Sequence, residues 1–115
     1  MTDSSRGVSK HVDARGTLLA VELTQTPFEV QRIFTVTAPG TTVHRGNHSI
    51  DYRELIVLVS GRVTVHVTPD EGAPSTTVIQ TPGETLLVEP HAFIEYTLDG
   101  PSSTILVLAD KPFAG

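Results

Sequence analysis

The chain has 115 residues, enough for one domain with a single core and too few for two. Eight Lys and Arg against thirteen Asp and Glu give a net charge of −5, which speaks against a general nucleic-acid binder. There is no cysteine, which excludes disulfides and thiolate metal ligands, and no stretch approaches the roughly 18–20 apolar residues of a spanning helix.

The first ten residues, MTDSSRGVSK, are polar and carry no apolar segment of the kind that opens a secretory leader. They offer nothing to bury, so they are expected to be flexible, with one domain over 11–115. Cytoplasm is the default compartment. From residue 17 onward the strand signals are dense. Runs of β-branched and apolar residues cover 17–23, 28–38, 54–60, 62–68, 75–80, 84–89, 93–98 and 104–109. Turn chemistry separates them at Pro39-Gly40, Ser60-Gly61, Pro69–Gly72, Pro82-Gly83 and Asp99–Pro101. No segment repeats apolar residues with helical period over three turns. The pattern predicts an all-β sandwich or barrel. In RVTVHVT, Val63, Val65 and Val67 share one face, with Arg62, Thr64, His66 and Thr68 on the other. ELIVLVS is apolar on both faces, as a strand buried in a closed sheet would be. Phe28 and Phe34 are assigned to the core.

Most of the reactive side chains fall in TVHRGNHSIDYRE, residues 42–54. His44 and His48 can share a face of an extended strand, and Glu54 joins them only if no bulge intervenes. Two imidazoles and a carboxylate can bind a divalent metal, act as acid and base without one, or decorate a pocket rim. Arg15, Arg32 and Arg45 can hold a diphosphate or an enolate oxygen through forked hydrogen bonds, or simply be solvated.

Set beside the cupins, Glu54 and Gly61 reproduce the end of the first metal motif, with six residues between them. The His-X-His element is absent, since Ser49 and Ile50 follow His48, and His91 lacks the preceding glycine of the second motif. No metal or other cofactor is expected on that comparison. A closer resemblance covers nearly the whole chain. Asp13, Arg15, Gly16 and Leu18 match Asp-x-Arg-Gly-x-Leu; Pro27, Phe28, Val30 and Arg32 match Pro-Phe-x-Val-x-Arg; Arg45, Gly46 and His48 match the start of Arg-Gly-x-His-Ala-His. With these motifs the chain resembles the WxcM-like cupins, which include dTDP-4-keto-6-deoxyglucose 3,4-ketoisomerases. It departs from them at Ser49 for alanine, Ile50 for the second histidine and Glu54 for glutamine, and the His48–Glu54 spacing is one residue short.

The resemblance implies a cupin of the RmlC-like class, a β-barrel or double-stranded β-helix (jelly roll). It implies a metal-free isomerase acting on a nucleotide-linked 4-keto-6-deoxysugar by proton transfer. His48 would be the principal acid/base group, with His44, Tyr52 and Glu54 exchanging oxygen-bound protons. Arg45, Arg32 and Arg15 would hold the substrate, with His91 and Phe93 at the pocket mouth, where an aromatic ring can stack on a base or sugar. The alternatives are a repurposed cupin enzyme (a cyclase, dehydratase or epimerase) acting on another small biosynthetic intermediate, or a non-catalytic ligand-binding cupin. A homodimer is expected, because pairing hides exposed sheet edges, with neither nucleic acid nor membrane as a partner.

Overall fold

The computed structural model describes residues 5–112, without the side chains of Ser5, Asn47 and His48. After a 3-10 turn over Ser5–Gly7, ten strands follow: β1 (Val8–Asp13), β2 (Gly16–Val21), β3 (Arg32–Thr37), β4 (Val43–Ser49) and β5 (Glu54–Ser60), then β6 (Val63–Thr68), β7 (Ser75–Ile79), β8 (Thr85–Val88), β9 (Phe93–Leu98) and β10 (Thr104–Ala109). There is no α-helix among the described residues, and none is long and apolar enough to cross a membrane.

Two four-stranded antiparallel sheets, ordered β3-β10-β5-β8 and β4-β9-β6-β7, face each other. Pairing is nested: β3 with β10, β4 with β9, β5 with β8 and β6 with β7. That nesting is the jelly roll. Its core lies between the sheets, with Ile56, Leu58, Ile105 and Val107 from one and Val63, Val65, Ile94 and Leu98 from the other. The alternation read from RVTVHVT holds, since Val63 and Val65 are buried and His66 is exposed.

The double-sided apolarity of β5 has a specific cause. Ile56 and Leu58 point between the sheets, whereas Leu55 and Val57 join a second cluster with Val8, Phe28 and Leu108. This second cluster lies where the N-terminal ribbon, β1 paired with β2, packs on the outer surface of the β3-β10-β5-β8 sheet. Two expectations change here. Val8, within the segment said to offer nothing to bury, is 4 % exposed and opens β1, which runs across the expected boundary at residue 10. The strand expected over 28–38 starts at Arg32, because Phe28 leaves the sheet to fill the second cluster.

The turn between β5 and β6 requires glycine. Gly61 has φ +81°, and a Cβ there would lie 2.7 Å from the Cα of Ser103. Ser103 is buried and cannot give way: its hydroxyl donates to the Asp99 carbonyl and accepts the Arg62 N–H at 3.0 Å. Gly61→Ala is therefore expected to cost about 2–4 kcal/mol, the left-handed backbone and the clash adding together. Chemical denaturation would show it as a lower midpoint with unchanged slope.

Candidate active site

The sheets part at one end around a cavity of about 600 Å³, lined in part by Arg32, Phe34, Arg45, Tyr52, Glu54 and Tyr96. Glu54 opens β5, flanked by Val88 of β8 and Ala109 of β10, and is only 3 % exposed. A carboxylate so deeply buried needs partners. The Tyr52 hydroxyl, on the bend just before β5, donates to it. Burial foremost, then the charge and hydrogen bond of Glu54, push the Tyr52 phenol up to about 12, against the opposing pull of Arg32. Arg32 itself stacks over Phe34 at 4.5 Å from the ring centroid.

A second phenol faces the same carboxylate. Tyr96, on β9, is pushed upward first by burial and then by the charge of Glu54, while Arg45 works the other way and donates to its oxygen. Arg45 and Tyr96 are cross-strand partners, so the register of β4 on β9 sets this pair. Gly46 has φ +84°, and a Cβ there would press to 3.1 Å on the Tyr96 ring and on the Ile94 carbonyl. Glycine lets the phenol approach β4.

The chain has two tyrosines and no tryptophan, so phenolate absorbance reports these two groups alone. Both are raised, so ultraviolet titration of the folded protein is expected to show little phenolate near the ordinary phenol value of about 10. The sign is that of a group holding its proton more tightly when folded. Its stabilisation is full below about pH 10 and is lost as pH rises toward the folded value.

Of the residues expected from sequence, the cavity thus gathers Arg32, Arg45, Tyr52 and Glu54. The side chain of His48 lies outside the described residues; its backbone pairs with Ile94. Between Gly46 and His48 the backbone register of β4 on β9 shifts, a bulge of the kind that the shared-face expectation for this segment requires to be absent. His44 instead lines an outer groove with His66, its Nδ1 2.8 Å from the Thr97 hydroxyl. Arg15 is at the tip of the β1–β2 hairpin, paired with Asp13 at 2.6 Å and 89 % exposed. His91 is exposed with φ +70°, and Phe93 is half-buried at the start of β9; neither is among the residues lining the cavity. Among the described residues no group of three or more His, Cys, Asp or Glu could hold a metal ion.

Three titratable residues lining the cavity escape a reading of the sequence: Tyr96, Asp51 and Lys111. Tyr96 had a visible signal, a phenol at an inward position of the Ile94–Tyr96–Leu98 alternation. Phe34, assigned to the core, lines the cavity.

The family model described as FdtA: WxcM-like, C-terminal matches residues 4–115. The chain belongs to this family. Among solved structures, this WxcM-like chain is similar to the QdtA 3,4-ketoisomerase from Thermoanaerobacterium thermosaccharolyticum, a double mutant in complex with TDP. The identity is 23 %, the TM-score 0.79, and the match covers 93 % of this chain and 78 % of that one. The WlaRB TDP-quinovose 3,4-ketoisomerase from Campylobacter jejuni matches with 20 % identity and TM-score 0.79, covering 96 % and 85 %. The rmlC epimerase of Mycobacterium tuberculosis matches with 16 % identity and TM-score 0.73, covering 93 % and 62 %. What these share with the WxcM-like chain is the fold, the RmlC-like cupin jelly roll. No curated protein matches it.

Proposed function

We propose that this chain is an isomerase of nucleotide-linked 4-keto-6-deoxysugars, moving the carbonyl from C4 to C3 by acid/base chemistry without a metal. The observation that carries the reading is the buried Glu54 carboxylate, hydrogen-bonded by Tyr52 inside a cavity that also holds the Arg32 and Arg45 guanidinium groups. Family membership and the structural likeness to TDP-sugar ketoisomerases support the substrate class.

The reaction needs two proton relocations. The C3 hydrogen, acidified by the adjacent ketone, leaves as a proton, and the C3–C4 enediol forms. A proton then returns to C4 while the hydroxyl on C3 loses its own and becomes the ketone. In our reading the His48 imidazole carries the carbon-bound proton from C3 to C4 on one face of the sugar. Imidazole suits that task because its ordinary pKa lies near working pH. The oxygen-bound proton passes through Tyr52 and Glu54: the phenol donates to O4 as the enediol forms, and the carboxylate takes the proton released from O3 and returns it to the phenolate, so both groups end as they began. Arg32 and Arg45 stabilise negative charge developing on the enediol oxygens. His44, on the outer groove, has no part in this scheme.

The test is to incubate the protein with dTDP-4-keto-6-deoxyglucose in deuterated water and follow the C3 signal by NMR. Exchange at C3 and appearance of the 3-keto isomer are expected; neither exchange nor isomer would remove the reading. One observation favours a second reading, a repurposed cupin cyclase, dehydratase or epimerase. Ile50, where the family's second histidine is usual, is 2 % exposed and belongs to the core. C3 exchange without the 3-keto isomer would support that alternative.

The homodimer belongs to the same proposal. Ile33 and Val59, on the sheet that carries the N-terminal ribbon, are 52 % and 38 % exposed, and Val12 and Leu18 of the ribbon about as open or more so. A second copy covering them would hide apolar surface on both partners. Light scattering would check the mass.

A further inference from the structure

We propose that Lys111, held beside Asp51 at the mouth of the cavity, receives the phosphate-bearing part of the ligand by leaving its carboxylate partner for the incoming anion. The inference rests on the sugar-nucleotide reading above for the ligand's identity, though the subsite itself is argued from placement and charge.

Placement comes from one carboxylate that neither the family motifs nor the chemistry above involve. Asp110, just after β10, accepts the backbone N–H of Arg53 through Oδ1 at 2.9 Å and the Arg53 guanidinium through Oδ2 at 3.1 Å. Its own N–H donates to the Arg53 carbonyl at 3.2 Å. These three bonds tie residue 110 to residue 53, so the chain leaving β10 runs antiparallel beside the bend that enters β5. Lys111 and Pro112 thereby reach the cavity on the side of Asp51 and Tyr52, and all four residues line it. The position of Lys111 is fixed at its backbone, while its side chain keeps a long, flexible reach.

Charge explains why an anion would stop there. Glu54 is buried in the cavity whereas Lys111 and Asp51 are exposed, so a phosphate pushed inward would meet a buried negative charge. Among the described residues the cations lining the cavity are Arg32, Arg45 and Lys111, on a chain whose net charge is −5. A ligand with an uncharged keto-sugar at one end and a diphosphate at the other is therefore oriented sugar inward and phosphate outward.

Lys111 is available for exchange. Its Nζ is 3.5 Å from Asp51 Oδ2, and the two side chains are 54 % and 72 % exposed. Exposed pairs of this kind are weak and screened by salt, so a multiply charged anion competes successfully for the ammonium. Asp51 then has two effects on the ligand, both unfavourable: it holds Lys111 before binding and repels the phosphate after it.

Calorimetric titration of the full chain with dTDP and with inorganic pyrophosphate tests this, using Lys111→Met and Asp51→Asn. Both substitutions are at exposed positions and should leave the circular dichroism spectrum unchanged. Lys111→Met is expected to weaken both probes about fivefold or more at low salt, and Asp51→Asn to tighten them about threefold. Thymidine, which lacks phosphate, should not respond to Lys111→Met. Wild-type binding that Lys111→Met leaves within about twofold overturns the subsite while leaving the isomerase reading intact. Weakening by Asp51→Asn overturns it as well. If pyrophosphate binds in a Lys111-dependent way and dTDP does not bind, the subsite stands and the sugar-nucleotide reading falls. Failure of the wild-type protein to bind either probe overturns both.

Discussion

Glu54→Gln is expected to slow C3-proton exchange and isomer formation about 10²–10⁴-fold while leaving the fold and dTDP affinity nearly unchanged. The amide is isosteric, and its oxygen still accepts the Tyr52 hydroxyl that the carboxylate accepts now. What it loses is the ability to take up a proton. The choice of glutamine is pointed, because the WxcM-like pattern carries glutamine at this place together with a second histidine. Here that histidine is Ile50, an apolar side chain in the core, and the buried ionisable group is Glu54 instead. If the carboxylate has taken over proton exchange at the sugar oxygens, the family-like residue should be the damaging one. Activity within about threefold of wild type would mean that Glu54 only anchors Tyr52, and the oxygen-bound proton would need another route.

The same pair separates structural from chemical roles. Tyr52→Phe removes the donor and leaves the buried carboxylate with one partner fewer, so it should disturb stability and turnover together. Glu54→Gln keeps the hydrogen bond, so a rate loss at constant denaturation midpoint belongs to proton transfer. Few positions in the chain allow that separation, because few polar side chains are as buried as Glu54.

Much of the fold was legible because local pattern and tertiary environment agree along β5, β6, β9 and β10. The alternation of RVTVHVT announces one buried and one open face, and β6 has both. β1 was not legible. Lys10 and His11 interrupt any apolar pattern in VSKHVD, and Val8 is buried only because Phe28, Leu55 and Leu108 meet it from distant parts of the chain. β4 carries almost no apolar residue, and its pairing with β9 makes it a strand. The register shift after Gly46 is equally silent in the sequence, while ordinary strand alternation is what separates His44 from Arg45 at the cavity. Arg45 and Glu54 arrive there and His44 does not. Lys111 and Asp51 are sixty positions apart, and the Asp110–Arg53 clamp that joins their backbones has no signature in either segment.

His48→Asn is expected to abolish measurable C3 exchange, the largest single loss of function that the proposed chemistry allows. Asparagine has a similar reach and still forms hydrogen bonds, but it cannot carry a proton between C3 and C4 at working pH. The backbone register places residue 48 opposite Ile94, one of the residues that line the cavity. In this chain no second histidine stands two residues on, so nothing in the family pattern is left to share the task. The loss should therefore appear in kcat, with dTDP affinity within about threefold of wild type, since the nucleotide end of the ligand lies away from the reacting carbons. A matching loss of dTDP affinity would point to a binding role for the imidazole instead. Retained exchange in His48→Asn, together with loss in Glu54→Gln, would make the buried carboxylate the carbon base. The reaction would then run through one acidic group assisted by two phenols, as a different cupin enzyme from the histidine-dependent isomerases that the sequence resembles.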